Sequence, residues 1–310
     1  MKELSRIAGE VRASTTLAVD SLAKQMKADG LDVIGFGTGE PDFDTPDNIK
    51  AAAIRAIEEG KTKYTPAAGI MDLRKAVAAR LKLDLNYDYD YTQITIASGA
   101  KHSVYIALMA ILNHGDEVIL PAPYWVSYYE MIRMAGGNPV IVSAGEDQDF
   151  KVTPAQLENA ISKHTKAIIL NNPSNPTGML YTREELEGIA EVCKKYDLYV
   201  ISDEIYFSLV YDDKKFTSFG SVSQDAFDRT ILVNGVSKSY AMTGWRIGYA
   251  AASKQISKVM ANYLSHSTGA PGTMNQYAAI EALSGPQDGT EAMRKVFEVR
   301  RNYIVERMNQ

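Results

Sequence analysis

Short apolar segments alternate with longer amphipathic segments over most of this 310-residue chain. Seven of the short segments are rich in Ile and Val and mostly lack polar alternation. That pattern predicts strands that are covered on both faces, as in a sheet between two layers of helices. The predicted strands are Ile94–Ala97, Glu117–Leu120, Pro139–Val142, Ala167–Leu170, Tyr199–Ser202, Thr230–Val233 and Ile247–Ala251.

Apolar positions at helical spacing predict helices between these strands. Thr182 and Glu185 stand in the positions of a capping box, so one of these helices begins at residue 183. Alternating strands and helices predict an α/β fold, with a mostly parallel sheet and helices on both of its faces. The predicted helices are Lys101–Leu112, Trp125–Met134, Pro154–Ser162 and Arg183–Tyr196.

Both ends of the chain depart from this alternation. Near the N-terminus the pattern predicts a helix at about Ala18–Asp29, a strand at Val33–Gly37 and the turn-rich segment GTGEPDFDTP. The last stretch, Gly289–Gln310, predicts one helix without a glycine cap. A helix that reaches the end of the sequence without a stop signal indicates a C-terminally truncated protein.

The composition argues against several classes of function. Hydrophobic residues make up 45% of the chain and charged residues 23%, as in ordinary globular proteins. The net charge of -5 lacks the basic excess that is typical of nucleic-acid-binding proteins. No apolar run is long enough for a membrane span, and the first residues are too charged for a signal peptide. We therefore expect a cytoplasmic protein with neither a membrane nor a nucleic-acid partner.

Cysteine and histidine usage bears on disulfides and metals. The single cysteine, Cys193, cannot form an internal disulfide and fits a reducing compartment. The four histidines are too scattered for the spacing of zinc ligands, so no metal site is expected. They are His102, His114, His164 and His266.

Small and polar residues follow several of the predicted strands at the point where each strand ends. Ser98–Lys101 opens a helix, Asn175 lies in a turn, Asp203 and Tyr206 end another strand, and Lys238 follows the next. In an open parallel sheet, ligands bind outside the carboxyl ends of the strands. The glycine-containing turn at Ser98–Lys101 offers free backbone N–H groups that could hold a phosphate, although such turns often serve packing alone.

The segment GVSKSYAMTGWRIG, residues 235–248, is the most informative one. Lys238 lies among small residues, and Arg246 follows eight positions later. A lysine that forms a Schiff base must be desolvated and close to cations, so that a neutral fraction can attack an aldehyde. A guanidinium group supplies paired donors for a phosphate. The competing interpretation is a loop with a solvated lysine and an arginine that begins the next strand.

This segment resembles the lysine signature of the class I aminotransferases, which are fold-type I enzymes that use pyridoxal 5'-phosphate (PLP). Five other segments with the family's character stand in the family's order, so the resemblance covers essentially the whole chain. They are GTGEPDFDTP (37–46), KYTPAAGIMDLRKAV (63–77), APYWVSY (122–128), NNPSNPTG (171–178) and SDEIY (202–206).

The resemblance implies three catalytic residues. Lys238 is implied to form the internal aldimine, and its freed amine is implied to move the proton between the substrate Cα and the cofactor's C4′. Asp203 is implied to keep the pyridine nitrogen protonated, so that the ring can accept electrons. Tyr206 is implied to donate to the ring's phenolic oxygen together with Asn175, which lowers the pKa of the aldimine.

Further binding residues are implied by the same resemblance. Trp125 is implied to stack on the cofactor ring, and Arg246 to bind the phosphate beside the N-terminus of the helix after Ser98. Tyr64 is implied to reach the phosphate from the partner subunit of a homodimer. The implied substrate contacts are Gly39, Trp125 and Asn175. The implied cofactor contacts are Gly99, Ala100, Lys101, Trp125, Asn175, Asp203, Tyr206, Ser237, Lys238, Arg246 and the partner's Tyr64.

Two features depart from the family pattern. Gly235 stands where many members have a phosphate-binding serine, so that one donor is lost or is supplied by Ser237. The chain also ends before the family's C-terminal arginine for the substrate α-carboxylate. We therefore expect residues 1–45 to form an N-terminal arm and part of the small domain, 46–285 the large PLP-binding domain, and 286–310 the start of an incomplete small domain.

Three functional alternatives follow. The first is transamination between an L-amino acid and a 2-oxo acid, with aspartate and 2-oxoglutarate favoured by similarity to the bacterial aspartate aminotransferase branch. The second is another PLP enzyme on this fold, such as a C–S lyase or a cyclopropane-carboxylate synthase. The third is an inactive protein, either truncated or the effector domain of a regulator. A regulator is disfavoured because no DNA-binding module fits before Gly37.

Overall fold

A seven-stranded sheet forms the centre of the fold in the computed structural model, which describes residues 2–37 and 39–310. All seven strands expected from the apolar segments are confirmed, with ends that differ by at most two residues. They are β1 Ile94–Ala97, β2 Glu117–Ala122, β3 Asn138–Ser143, β4 Thr165–Asn171, β5 Tyr199–Asp203, β6 Thr230–Gly235 and β7 Gly248–Ala251.

The sheet is mostly parallel, as predicted. Its strand order is β1-β7-β6-β5-β4-β2-β3, and only β7 among these seven runs antiparallel to its neighbours. The carboxyl ends of β4, β5 and β6 therefore meet at one edge of the sheet. The residues that follow these strands are brought together there, which is the geometry that the sequence predicts for a site.

The predicted α-helices of the large domain are confirmed with small changes at their ends. The capping box of the helix at Arg183 is present, with Thr182 and Glu185 satisfying each other's backbone N–H groups. The helices are α1 Arg6–Glu10, α2 Thr15–Ala28, α3 Asp47–Glu58, α4 Met71–Leu85, α5 Ala100–Ile111, α6 Ser127–Met134, α7 Pro154–Asn159, α8 Arg183–Lys195, α9 Gln224–Arg229, α10 Lys254–His266, α11 Thr273–Ser284 and α12 Asp288–Met308.

Helices cover the central strands on both faces, so successive residues of one strand enter different cores. In β5, Ile201 packs in the core formed with α5, α6 and α10. Its neighbour Val200 packs in the core formed with α7 and α8. Because side chains alternate along a strand, Asp203 lies on the Ile201 side and Ser202 on the Val200 side. This alternation determines which side chains reach each face at the strand end.

The predicted strand at Val33–Gly37 is wrong, because the structure has no strand there. Ile34 is 78% exposed and Phe36 is 84% exposed, and no neighbouring strand among the described residues pairs with this segment. An apolar run becomes a strand only when another strand satisfies its backbone hydrogen bonds. The helices predicted on either side of the large domain are present as α2 and α12.

The domain division stays a proposal. We keep the boundaries 1–45, 46–285 and 286–310, since the sheet and its covering helices lie between Asp47 and Ser284. Within the described part of the chain, no helix combines the length and the apolar character that a membrane crossing needs.

Candidate active site

A buried aspartate occupies the carboxyl end of β5. Asp203 is only 3% exposed, and its Oδ2 accepts a hydrogen bond of 2.6 Å from the Tyr128 hydroxyl. Its Oδ1 accepts from the Ile205 N–H at 3.2 Å. Burial raises the pKa of Asp203 to about 6, and these two hydrogen bonds oppose the rise. No lysine, arginine or histidine among the described residues forms an ion pair with it, so this carboxyl group suits a cation from a ligand.

Lys238 lies in the loop after β6 and faces the same edge of the sheet. Its Nζ donates a hydrogen bond of 2.5 Å to the Gly39 carbonyl and lies 5.8 Å from the centre of the Tyr206 ring. Burial lowers the pKa of Lys238, the nearby Glu40 carboxylate opposes this, and Arg246 adds to it. A lower pKa increases the neutral fraction of the amine, which is the form that attacks an aldehyde.

Tyr206 and Asn175 approach this lysine from two different loops. Burial and the charge of Asp203 raise the pKa of Tyr206 to about 12, while a hydrogen bond with the Asn175 side chain opposes the rise. Tyr206 therefore keeps its hydroxyl proton at neutral pH and can donate it in a hydrogen bond. The turn that holds Asn175 is fixed by its own N–H, which donates to Asn171 Oδ1 at 2.7 Å.

The turn before α5 packs directly against an arginine. Gly99 has a φ of 90°, and a Cβ atom there would lie 2.3 Å from Nη2 of Arg246. The guanidinium group donates to the carbonyls of Ser98 at 3.2 Å and Thr243 at 2.8 Å. The first N–H groups of α5, beginning at Ala100, have no acceptor within the helix. A guanidinium group beside free helical N–H groups suits a phosphate.

Trp125 connects the arginine side of the site with the aspartate side. Its ring lies edge-on to Tyr128, with ring centres 5.2 Å apart. Lys101 Nζ lies 4.9 Å from the centre of the Trp125 ring. Burial lowers the pKa of Lys101, and the charge of Arg246 lowers it further. Side chains from β5, α5, α6 and four loops thus converge on one region.

Three other residues that the family resemblance singles out differ from one another in their surroundings. Ser237 is 8% exposed and adjoins Lys238, whereas Tyr64 is fully exposed and makes none of the contacts described above. Its action in a partner subunit stays a prediction. At Gly235, a Cβ atom would lie 2.9 Å from the Ile247 carbonyl oxygen, because β6 and β7 approach closely there. This close approach explains why a serine does not fit that position in this chain.

Tyr128 is a site residue that the sequence analysis does not identify. It lies inside the APYWVSY segment, in which the family resemblance assigns a role only to Trp125. It is 2% exposed, and a buried tyrosine hydroxyl needs a hydrogen-bond partner. That requirement alone does not identify Asp203 as the partner, since the two residues lie 75 positions apart in the chain.

Residues 31–310 match the sequence model of the family described as aminotransferase class I and II. This chain belongs to that family. The match covers most of the chain and includes the whole sheet and every site residue discussed above. The aminotransferases of this family act on amino acids and 2-oxo acids and depend on PLP, and their fold is that of fold-type I enzymes.

Individual aminotransferases resemble the chain closely. It is 50% identical over 312 residues to the aspartate aminotransferase of Bacillus sp. strain YM-2, covering all of this chain and 79% of the relative. It is 49% identical over 311 residues to the aspartate/prephenate aminotransferase of Cereibacter sphaeroides, covering all of this chain and 78% of that one. The solved structure of Thermus thermophilus aspartate aminotransferase with maleate has a TM-score of 0.95 and 41% identity, covering 99% of this chain and 80% of its own.

The chemistry of the side chains fits PLP. This cofactor carries an aldehyde, a pyridine nitrogen, a phenolic oxygen and a phosphate, each of which needs a different partner. The region around Lys238 offers an amine of lowered pKa, a buried carboxyl group without a cation among the described residues, hydroxyl and amide donors, and a guanidinium group beside a helix N-terminus. Four different requirements are thus met at one edge of the sheet.

Proposed function

We propose that this aminotransferase transfers the amino group of L-aspartate to 2-oxoglutarate, with Lys238 as the residue that holds PLP covalently. The observation that carries the proposal is the position of the Lys238 amine. It is desolvated, lies beside the Tyr206 ring, and donates to the carbonyl of Gly39. The similarity to aspartate aminotransferases supports the choice of aspartate.

The ring-binding residues have separate electrostatic tasks in this proposal. When bound, PLP supplies an electron sink for the bonding electrons of the substrate's Cα–H bond. Asp203 would hold a proton on the pyridine nitrogen, and Tyr128 keeps its carboxyl group in place by a 2.6 Å hydrogen bond. Tyr206 and Asn175 would donate to the phenolic oxygen, and Trp125 would stack on the ring.

Lys238 would have a second task once a substrate amine replaced it on the cofactor. Its amine, of lowered pKa, would be placed to accept the proton from the substrate's Cα and to deliver it to the cofactor's C4′, on the other side of the imine nitrogen. Arg246, with the N-terminus of α5 at Gly99 and Ala100, binds the phosphate and thereby fixes the ring relative to the lysine. Ser237, next to Lys238, is an additional donor on that side.

Preference for a dicarboxylic substrate requires a cation for the second carboxylate. We assign this contact to Lys101, because no carboxylate among the described residues lies within ion-pair distance of its Nζ. It lines a cavity of about 540 Å³ together with Arg12, Ser14 and Thr15. The α-carboxylate end is assigned to Gly39 and Asn175 beside Trp125. The Thermus relative was solved with maleate, which is a dicarboxylate.

We also propose a homodimer in which Tyr64 reaches the phosphate in the partner subunit's site. The support is its full exposure in a single chain, which is unusual for a tyrosine within a family motif. The expected result is that Tyr64→Phe weakens PLP binding without changing the elution volume in size-exclusion chromatography. The cytoplasmic location stays a prediction.

The test of the proposed reaction is an assay of oxaloacetate formed from L-aspartate in the presence of PLP. We expect product with 2-oxoglutarate as the acceptor, and a loss of at least about 10³-fold in Lys238→Ala. Lys258→Ala, which removes an exposed lysine of α10, is the matched control and retains activity. Unchanged product formation in Lys238→Ala would contradict the proposal.

The choice of amino acceptor distinguishes the alternatives. Replacing 2-oxoglutarate with prephenate tests the second activity in the name of the Cereibacter relative. Product with prephenate but not with 2-oxoglutarate would support transamination from L-aspartate and contradict 2-oxoglutarate as the acceptor. A C–S lyase or a cyclopropane-carboxylate synthase would turn over its substrate without any 2-oxo acid acceptor, so a lack of acceptor dependence would favour those enzymes.

A further inference from the structure

A second buried carboxyl group adjoins Asp203 and has no task in the reaction proposed above. Glu204 is 0% exposed and follows the last residue of β5. Asp203 contacts Tyr128 in the core on the α5 side of the sheet. Glu204 contacts Phe219, which belongs to the core on the α8 side. The two adjacent carboxyl groups therefore lie on opposite faces of the sheet.

Hydrogen bonds hold Glu204 through one of its oxygens. Its Oε1 accepts from the hydroxyls of Ser202 at 2.8 Å and Ser218 at 2.5 Å, and from the Phe219 N–H at 3.3 Å. Tyr87 Oη lies 2.5 Å from Ser218 Oγ, and it is the donor there because the Ser218 hydroxyl proton points to Glu204. Oε2 is buried and lacks a partner among the described residues.

The backbone of Glu204 is fixed as well. Its N–H donates to the Val233 carbonyl of β6 at 2.9 Å, and its carbonyl accepts from the Phe207 N–H at 3.0 Å. The residue thus begins the turn that leads from Asp203 to Tyr206. Its side chain connects this turn to Ser218 and Phe219, which lie 14 and 15 residues further along the chain.

We propose that Glu204 is a positioning residue that holds Asp203 and Tyr206 at the cofactor from the opposite face of the sheet. The inference rests on the proposed site, because it assigns those two residues to the cofactor ring. A carboxyl group is costly to bury without a cation, whereas an apolar side chain would fill this space without that cost. Three hydrogen bonds to one oxygen give the turn a defined position that apolar packing would not give.

The charge of Glu204 is set by its surroundings. Burial raises its pKa to about 7, hydrogen bonds from Ser218, Ser202 and Phe219 oppose this, and the charge of Asp203 raises it further. The other titratable groups around it are the three tyrosines Tyr87, Tyr89 and Tyr249, whose pKa values burial raises, so they stay neutral. Glu204 is therefore largely neutral below neutral pH, and a glutamine can replace it in shape and charge.

The test compares Glu204→Ala with Glu204→Gln in the full chain loaded with PLP, and reads the apparent pKa of the visible band of the lysine-bound cofactor. Glu204→Ala lets Tyr206 move from the phenolic oxygen, so we expect the apparent pKa of the band to rise. We also expect kcat to fall about tenfold while KM stays within about twofold. Glu204→Gln restores both values.

Leu157→Ala is the matched control. Leu157 is 0% exposed and packs in the same core as Phe219, outside the hydrogen-bonded network. This variant loses stability without changing the band or kcat. If Glu204→Ala only lowers the melting temperature, as this control does, the inference is overturned. Failure of Glu204→Gln to restore the band also overturns it, because charge and not position would then be decisive.

Two further outcomes are separated by design. If Glu204→Ala does not fold, Ser218→Ala removes one of the three hydrogen bonds and should raise the apparent pKa of the band by a smaller amount. An unchanged band in a folded Ser218→Ala protein would overturn the inference. A wild-type chain without any PLP band would contradict the proposed function itself, whereas a normal band in every Glu204 variant would contradict only the role of Glu204.

Discussion

The edge of the sheet around Asp203 and the segment that carries Gly39 are packed in very different ways. Asp203 is 3% exposed between two apolar cores, whereas Phe36 is 84% exposed and α2 buries none of its residues. Yet Gly39 accepts the hydrogen bond from Lys238. In the proposed assignment, the cofactor half of the site is thus built on the core around the sheet, and the substrate half is built on a peripheral segment.

A few polar contacts attach this peripheral segment to the large domain. Thr45 Oγ1 donates to the Ala241 carbonyl at 2.8 Å and accepts from Trp245 Nε1 at 3.0 Å. Arg300 of α12 pairs with Asp42 at 2.7 Å. Contacts of this kind contribute little stability compared with a buried core, so changes in the two regions should have separable effects.

The largest expected effect on activity is that of Asp203→Asn, in the cofactor half of the site. An amide cannot hold a proton on the pyridine nitrogen, so we expect the transamination rate to fall by about 10²–10³-fold. The measurement is the rate of oxaloacetate formation at saturating aspartate. Asp225→Asn, the same change in an ion pair with Arg229 on α9, is the control and keeps the wild-type rate. A loss of less than about 10-fold in the rate of Asp203→Asn would show that the cofactor half of the site does not control catalysis.

The next effect is that of Gly99→Ala on PLP affinity. The added Cβ would lie 2.3 Å from Nη2 of Arg246, so the guanidinium group must move away from the proposed phosphate site. We expect the Kd for PLP, measured by titration, to rise about 10-fold or more. Gly115→Ala is a close control, because Gly115 has the same φ of 90° with nothing within 4 Å. Equal losses in both variants would attribute the effect to backbone strain alone.

A pH-dependent effect of moderate size is expected for Tyr128→Phe. The pKa of Asp203 is about 6 in the folded protein and 3.8 in the unfolded chain, so the folded state binds its proton more tightly. This contribution to the unfolding free energy is fully present below pH 3.8 and is lost as the pH rises through 6. The Tyr128 hydroxyl opposes this loss by stabilising the carboxylate. Without it, the cofactor-free protein should lose about 1 kcal/mol more of unfolding free energy at pH 8 than at pH 5.

Chemical denaturation of the cofactor-free protein at several pH values measures this difference. Tyr181→Phe is the control, because it removes a buried hydroxyl that accepts from the Val152 N–H and forms no hydrogen bond with a carboxyl group among the described residues. Its destabilisation should be nearly independent of pH between 5 and 8. A pH-independent loss in Tyr128→Phe as well would mean that Asp203 does not titrate in this range.

The smallest effect is expected in the peripheral segment. Phe36→Ser changes a side chain that is 84% exposed, so the unfolding free energy of this chain should change by less than about 0.5 kcal/mol. Ile201→Ala, in the middle of β5, should cost about 2–5 kcal/mol in the same denaturation experiment. Comparable losses would show that the segment before Gly39 is part of the core and would remove the contrast between the two regions.

The sequence predicted the sheet well because its strands are buried on both faces. Runs such as Ile168–Leu170 and Ile231–Val233 have no solvent-facing positions, and therefore carry a strong apolar signal. The same kind of signal failed at Val33–Gly37, where the apolar residues are exposed and no strand pairs with them. An apolar run shows that burial is needed, but it does not show which part of the structure supplies the neighbour.

The site was predictable where residues follow strand ends within family motifs. Lys238, Asp203 and Tyr206 lie at the expected edge of the sheet. Tyr128 and Glu204 were missed, although both lie inside family motifs, APYWVSY and SDEIY. Their roles depend on contacts between distant parts of the chain. Tyr128 reaches Asp203 across 75 positions, and the network of Glu204 extends through Ser218 to Tyr87 across 131 positions. Spacing along one sequence carries no record of such contacts.

The most direct test of the central claim is the visible absorption spectrum of the purified chain with PLP, recorded for the wild type and for Lys238→Ala. The account predicts a band of lysine-bound cofactor in the wild type that is absent from Lys238→Ala. Adding L-aspartate should then remove the band as the amino group passes to the cofactor. A band that persists in Lys238→Ala, or a folded wild type that shows none, would contradict the assignment of Lys238.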